Sequence, residues 1–210
     1  MGRPLLSLEQ LLTEDLETIC TDLASELGEM AGGSLLVTGG GGFLGYYLVQ
    51  TALHWNRTRK GRGAIDVTVY DNYMRGVPAW LEQLRGEPGL SLVRQDMIQP
   101  LPADIPHFDY IVHAAGIASP IYYRAHPIKC MDANINGLRN LLDYSVAEAS
   151  HGRPVRGFLF YSSSEIYGDP ALDAIPTPET YRGNVSCTGP RACYDESKRF
   201  GETLCVTFAQ

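Results

Sequence analysis

One segment, Ser34-Leu-Leu-Val-Thr-Gly39-Gly-Gly-Gly42-Phe-Leu-Gly45, restricts the folds open to this chain more than any other. An apolar run of strand character enters a turn spaced Gly-x-x-Gly-x-x-Gly, and apolar residues at helical spacing follow it. In a strand–turn–helix unit each glycine has a task. The one at 39 permits a tight turn, the one at 42 lets the backbone approach a pyrophosphate, and the one at 45 allows close helix–strand packing. The helix N-terminus then faces the anion with free N–H groups. Four consecutive glycines would also suit a flexible linker, but a linker has neither the apolar strand before it nor the amphipathic helix after it.

Beyond residue 34, short apolar runs alternate with helical stretches, the pattern of a doubly wound α/β fold whose parallel sheet is covered on both faces. Strands are expected at 34–38, 65–70, 90–93, 108–113 and 155–162, and helices at 43–54, 78–85, 126–149 and 191–209. Prolines at 170, 176, 178 and 190 make 168–190 an irregular loop. Ahead of the glycine turn, Leu8, Leu12, Leu16, Ile19, Leu23, Leu27 and Met30 recur at helical spacing. Residues 1–33 therefore read as an N-terminal extension of one or two amphipathic helices, packed on a Rossmann domain at 34–210. Ser7 and Gln10 have the spacing of a capping box.

The 210 residues are 44% hydrophobic with a formal net charge of −7. That is material for one core, with no broad positive field to draw in nucleic acid or an anionic membrane surface. The basic run from Arg57 to Arg62 reads as a solvated loop. No apolar stretch approaches the ~18 residues of a membrane span. The opening Met1-Gly-Arg-Pro4 leads into Glu and Asp rather than an apolar signal core, so a cytoplasmic location is expected. Five cysteines, at 20, 130, 187, 193 and 205, lack a Cys-x-x-Cys spacing and indicate neither a disulfide framework nor a metal site.

The second strand ends at Asp71, where a carboxylate can accept hydrogen bonds from adenosine ribose hydroxyls and repel a 2′-phosphate, favouring NAD over NADP. Asp96, after the third strand, is placed to reach the adenine amino group. Near the end, Tyr194 and Lys198 stand four residues apart, on one face of a helix. A phenol is a poor base at neutral pH unless a cation stabilises its anion, and Lys198 can supply that charge while bonding the nicotinamide ribose. Alone, Tyr-x-x-x-Lys is an ordinary surface pair. Here the strand at 158–162 also delivers Ser163, Ser164 and Glu165 to the carboxyl end of the sheet, where open α/β folds bind ligands.

Five motifs now stand in order: Thr38-Gly39-x-x-Gly42-Phe-Leu-Gly45, His113-Ala-Ala-Gly116, Asn134-x-x-Gly137, Ser162-Ser-Ser-Glu-Ile-Tyr-Gly168 and Tyr194-x-x-x-Lys198. Together they resemble the nucleotide-sugar-modifying extended short-chain dehydrogenases. The resemblance implies NAD contacts at Gly39, Gly42, Phe43, Leu44, Gly45, Asp71, Asn72, Asp96, Met97, Ala114 and Ala115, joined by Tyr194 and Lys198. It implies catalytic roles for Ser163, Glu165, Tyr194 and Lys198, a nucleotide-diphosphate sugar as substrate, and a homodimer formed through the helices at 126–149 and 191–209; their apolar stripes, which include Leu138, Leu141, Leu142 and Val146, read equally as core. Within the family, 167–170, 189–199, Ala118-Ser-Pro120 and His126-Pro-Ile-Lys129 are most similar to the branch that decarboxylates UDP-glucuronate to UDP-xylose through a 4-keto sugar. Serine at 164, where dehydratases usually carry an aspartic acid, argues against water elimination. A 4-epimerase or 4,6-dehydratase remains the alternative reaction, and a non-catalytic NAD-binding protein the alternative class.

Two departures matter. Gly116 stands where the decarboxylating branch more often has serine. Family members also carry a substrate domain after the Tyr/Lys helix, so with a chain ending at Gln210 that domain is expected to be absent and the isolated chain to have little activity.

Overall fold

The computed structural model describes residues 7–59, 61 and 63–210. Met1–Pro4, and Lys60 and Arg62 of the basic run, fall outside them. Two helices, α1 (Leu8–Asp22) and α2 (Ala24–Met30), precede β1 (Ser34–Thr38) and α3 (Phe43–Thr58). Then follow β2 (Asp66–Asp71), α4 (Ala79–Gln83), β3 (Leu90–Arg94), β4 (Tyr110–His113), α5 (Pro120–Ala125), α6 (Pro127–Ser150), β5 (Gly157–Phe160) and α7 (Ala192–Phe208).

The five strands form one parallel sheet in the order β3-β2-β1-β4-β5. Successive β1 side chains point to opposite faces, so Leu35 and Val37 enter the core beneath α3 while Leu36 joins Ile111, Leu141 and Tyr144 on the α6 side. Register aligns the carboxyl ends: Thr38 lies opposite Tyr70 and His113, and His113 opposite Phe160. The order reverses at β1/β4, where the diverging loops after the two strands open a crevice.

Every expected strand is present, with no end displaced by more than two residues. The one helix the sequence reading lacked is α5, a six-residue element entered through Ser119-Pro120, with proline in its first turn. The capping box is formed: Ser7 Oγ accepts from the Gln10 N–H at 3.2 Å, and Gln10 Oε1 accepts from the Ser7 N–H at 2.9 Å. Helix α1 lies on α3, burying Leu16 and Cys20. Tyr47 donates to Asp15 at 2.8 Å and Arg59 to Glu17 at 2.6 Å across the contact. Its expected apolar stripe is broken, because Leu8 is 86% exposed and Leu23, at the joint between α1 and α2, is 43% exposed.

The expected dimer stripe is corrected in part. Leu138, Leu141 and Leu142 are buried in this chain's own core, where α6 packs on α7 and the sheet, so they present nothing to a partner. Of that stripe only Val146 is exposed.

Candidate active site

The glycine turn is shaped by close approach. Gly39 has φ +70°, and a β-carbon there would lie 2.6 Å from the Ala115 backbone. At Gly45, the third residue of α3, a β-carbon would strike the Gly40 carbonyl at 2.2 Å, so only glycine lets the helix start fold back onto the turn. Around Gly42 the space is open apart from the Gly39 carbonyl at 3.1 Å. A cleft of about 1010 Å³ runs from this turn across the carboxyl ends of β2, β3 and β4. All eleven positions expected to contact the cofactor ahead of the Tyr/Lys helix border it: Gly39, Gly42, Phe43, Leu44 and Gly45 on the turn, Asp71, Asn72, Asp96 and Met97 at one end, Ala114 and Ala115 on the wall. Met97 offers little surface, being 3% exposed with its side chain packed on Gly137.

The two carboxylates of the cleft also shape it. Asp71 accepts from the N–H groups of Gly41 at 3.0 Å and Tyr73 at 2.7 Å, tying the glycine turn to the end of β2. Asp96 accepts from Asn72 Nδ2 at 3.2 Å and from the Ile98 N–H at 3.2 Å. Free N–H groups at the start of α3, open backbone at Gly42 and a carboxylate at the tip of β2 form a cradle that fits a dinucleotide.

None of the remaining four, Ser163, Glu165, Tyr194 and Lys198, lines this cleft; Lys198 meets its wall at Gly116. Tyr194 and Lys198 share the inner face of α7 and are 7% and 5% exposed. Lys198 Nζ donates to the Tyr161 carbonyl at 2.7 Å and lies 4.7 Å from the centre of the Phe160 ring. Ser163 follows β5, accepts from the Glu165 N–H at 3.2 Å, and is near enough to the Tyr194 phenol to act on its proton affinity. Gly116 joins the two halves: it lines the cleft, and a β-carbon on it would be 3.7 Å from Lys198 Nζ. That same β-carbon would press on Asn134 Oδ1 at 2.7 Å, which accounts for glycine here in place of serine. Asn134 Nδ2 donates to Ser197 Oγ at 2.8 Å, while its Oδ1 is buried without a partner among the described residues.

Burial dominates the electrostatics. It pushes the Tyr194 phenol above its ordinary range, with Ser163 acting against it. It also brings Lys198 down to about 8. The Lys198 ammonium lies 6.0 Å from the centre of the Tyr194 ring while it donates to the Tyr161 carbonyl. His113, wholly buried and bonded through Nδ1 to Thr38 Oγ1 at 2.7 Å, is held down to about 3 by burial.

Two neighbours were not singled out in the sequence. Tyr123 of α5 stacks on Tyr194, rings 5.3 Å apart and 9° from parallel. Arg191, at the start of α7, pairs with Glu165 and also donates to Asp195 Oδ2 at 3.2 Å. The signal for Arg191 was its i, i+4 spacing from Asp195. A second cavity of about 850 Å³, between residues 166–182 and α7, contains none of the cofactor positions.

Residues 35–210 match the NAD dependent epimerase/dehydratase family. UDP-glucuronic acid decarboxylase 3 of Arabidopsis thaliana is 38% identical over 170 residues, covering 81% of this chain and 44% of the relative. UDP-glucuronic acid decarboxylase 1 of Xenopus tropicalis is 36% identical over 174 residues, covering 83% and 37%. Among solved structures, a UDP-galactose 4-epimerase superposes with TM-score 0.63 at 28% identity, over 84% of this chain and 51% of that one. A UDP-glucose 4-epimerase from Bifidobacterium longum, solved with NAD+ and UDP, gives 0.59 at 27%, over 83% and 48%. The chain thus spans less than half the length of the curated relatives named here. Its glycine cradle, its sheet order and its match over residues 35–210 agree, and the chain belongs to the NAD dependent epimerase/dehydratase family.

Proposed function

We propose that this chain is the NAD-binding and proton-transferring part of an enzyme that oxidises a nucleotide sugar at its 4-hydroxyl and decarboxylates UDP-glucuronate to UDP-xylose. The observation that carries the reading is the junction at Gly116, which sets Lys198 against the wall of a cleft floored by the glycine turn. The named relatives support the decarboxylating outcome.

NAD, when bound, supplies reversible hydride acceptance and would rest on Gly39–Gly45, Asp71 and the wall at Ala114 and Ala115. Tyr194 takes the proton of the sugar 4-hydroxyl, and Ser163, beside the phenol, steadies the oxygen as it becomes a carbonyl. Lys198 holds the ribose and contributes positive charge beside the phenolate. A sugar oxidised at position 4 with a carboxylate at position 6 is a β-keto acid, so carbon dioxide leaves while the ketone accepts the electron pair. The resulting enolate is then protonated, and UDP-xylose is reached when the 4-ketone takes its hydride back and Tyr194 returns the proton to the oxygen; Glu165, paired with Arg191, lies on the same side as Ser163. A homodimer is part of this proposal, through surface that includes Val146 rather than the buried leucines of α6.

The test is product analysis after incubation of the full-length gene product with NAD and UDP-glucuronate labelled in its carboxylate. Labelled carbon dioxide together with UDP-xylose is expected. A 4-epimer of unchanged mass or a dehydrated sugar would replace the decarboxylase by its sister reactions, and binding of NAD with no sugar conversion would favour the non-catalytic reading. Tyr194→Phe is expected to abolish turnover and leave NAD binding intact; full activity in that variant refutes the role of the phenol.

A further inference from the structure

Two cysteines that the reaction does not use meet beside the phenol. Cys130 lies in the first turn of α6 and is fully buried; Cys193 is the second residue of α7 and is half-buried. Both pack with Tyr123 and Tyr194 in one small apolar cluster. The Cys130 thiol lies 3.9 Å from the Cys193 carbonyl oxygen and 3.5 Å from that of Ile117. The Cys193 thiol points at the Tyr123 carbonyl at 3.8 Å, so the two cysteines share one contact region between α5, α6 and α7. The other three cysteines are free as well, with Cys187 exposed and Cys20 wholly buried.

We propose that Cys130 and Cys193 form a dithiol modification site that reacts with low-molecular-weight disulfides of the glutathione type and closes into a disulfide joining α6 to α7 next to Tyr194. This inference does not depend on the sugar chemistry proposed above. Accessibility sets the order of events. Cys193 is the thiol a small disulfide can reach, and as thiolate it attacks one sulfur of RSSR, forming the mixed disulfide Cys193–S–S–R and releasing one RSH. Cys130 then gives up its proton and attacks the Cys193 sulfur, forming the protein disulfide and releasing a second RSH. Two electrons and two protons have passed from the protein to the small disulfide, which is reduced. Burial pushes the Cys130 thiol up to about 12, so the second step is the slower one and the mixed disulfide is its visible precursor. Closure draws the Cys193 sulfur off the Tyr123 carbonyl, and Tyr123 is the ring stacked on Tyr194.

The experiment treats the folded chain with oxidised glutathione at neutral pH, quenches with acid and maps peptides by mass spectrometry without reduction. Cys187 serves as internal reference, since among the described contacts no thiol touches it, and Cys20 reports that the fold stayed closed. The expected result is a persistent adduct at Cys187, no adduct at Cys20, and a transient adduct at Cys193 that gives way to peptides joined through 130 and 193, with a loss of two hydrogen masses. Cys130→Ser should halt the sequence at the Cys193 adduct, and Cys193→Ser should leave Cys130 unmodified. A Cys193 adduct in the unaltered chain that persists like that of Cys187, or an untouched Cys193 beside a fully modified Cys187, overturns the proposal.

Discussion

Arg191 offers the sharpest test of how the site is held. It is shared between two carboxylates: Glu165, on the turn that also carries Ser163, and Asp195, the residue after Tyr194. The Asp195 side chain is 7% exposed and its Oδ1 has no partner among the described residues, so Arg191 is the cation that makes burial of this carboxylate tolerable. Removing one partner of a fully buried pair costs ~3–5 kcal/mol. The Arg191 side chain is 38% exposed, so solvent screens part of that, and Arg191→Met is expected to cost ~1–3 kcal/mol. Asp195→Asn removes the buried charge itself and should cost less. In the double variant the methionine no longer strands a carboxylate, so the two effects should fall short of their sum by ~1–2 kcal/mol. Urea denaturation of the four proteins, with unchanged m-values, reads the coupling directly. A coupling within ~0.3 kcal/mol of zero would show that Arg191 does not stabilise Asp195 and would refute the argument.

Other outcomes follow from the same geometry. Gly42→Ala should keep the melting temperature but weaken NAD binding, because its β-carbon meets only the Gly39 carbonyl at 3.1 Å; Gly45→Ala, colliding with the Gly40 carbonyl at 2.2 Å, should lose both, as calorimetry and thermal melts would show. Lys198 is one of three lysines in the chain, so side-chain carbon NMR of labelled lysine should show one resonance titrating near about 8, absent in Lys198→Met; three resonances titrating near ~10.4 would contradict its burial. Because that value lies below the unfolded one, the unfolded chain holds a proton that the folded chain has released as pH rises above about 8, and this lysine contributes stability that grows toward the free-lysine range and is lost as pH falls back. His113 acts with the same sign lower down: its folded value of about 3 lies below 6.5, so stability is lost as pH falls through that window, and a neutral replacement such as His113→Gln should flatten the acid side of a stability–pH curve.

How much of this was legible in the sequence depends on how local each feature is. The turn at 39–45 was readable because strand, glycine spacing and helix lie within a dozen residues, and each glycine answers to a contact inside that unit or with the next strand. Tyr194 and Lys198 were readable as a pair because four residues on a helix fix a shared face. Arg191 and Glu165 were not paired, since they stand 26 positions apart across a largely irregular stretch and only the folded chain brings them together. The stack of Tyr123 on Tyr194 was hidden for the same reason, and further hidden because α5 is too short to show a period. Lys198 teaches a different lesson. A sequence places an ammonium four residues from a phenol, but where Nζ points and how much water remains are set by the fold, and here Nζ lies 6.0 Å from the ring centre and also donates to a backbone carbonyl at 2.7 Å. The apolar stripe of α6 shows the limit of periodicity itself. Spacing says that Leu138, Leu141 and Leu142 share a face that avoids water; it does not say what covers that face, and in this chain the cover is α7 and the sheet. Val146, on the same helix but left 53% exposed, is where a partner-facing role can still be tested. If the protein associates through this surface, Val146→Glu should shift its sedimentation toward monomer while the buried leucines, replaced by alanine, should lower its melting temperature instead.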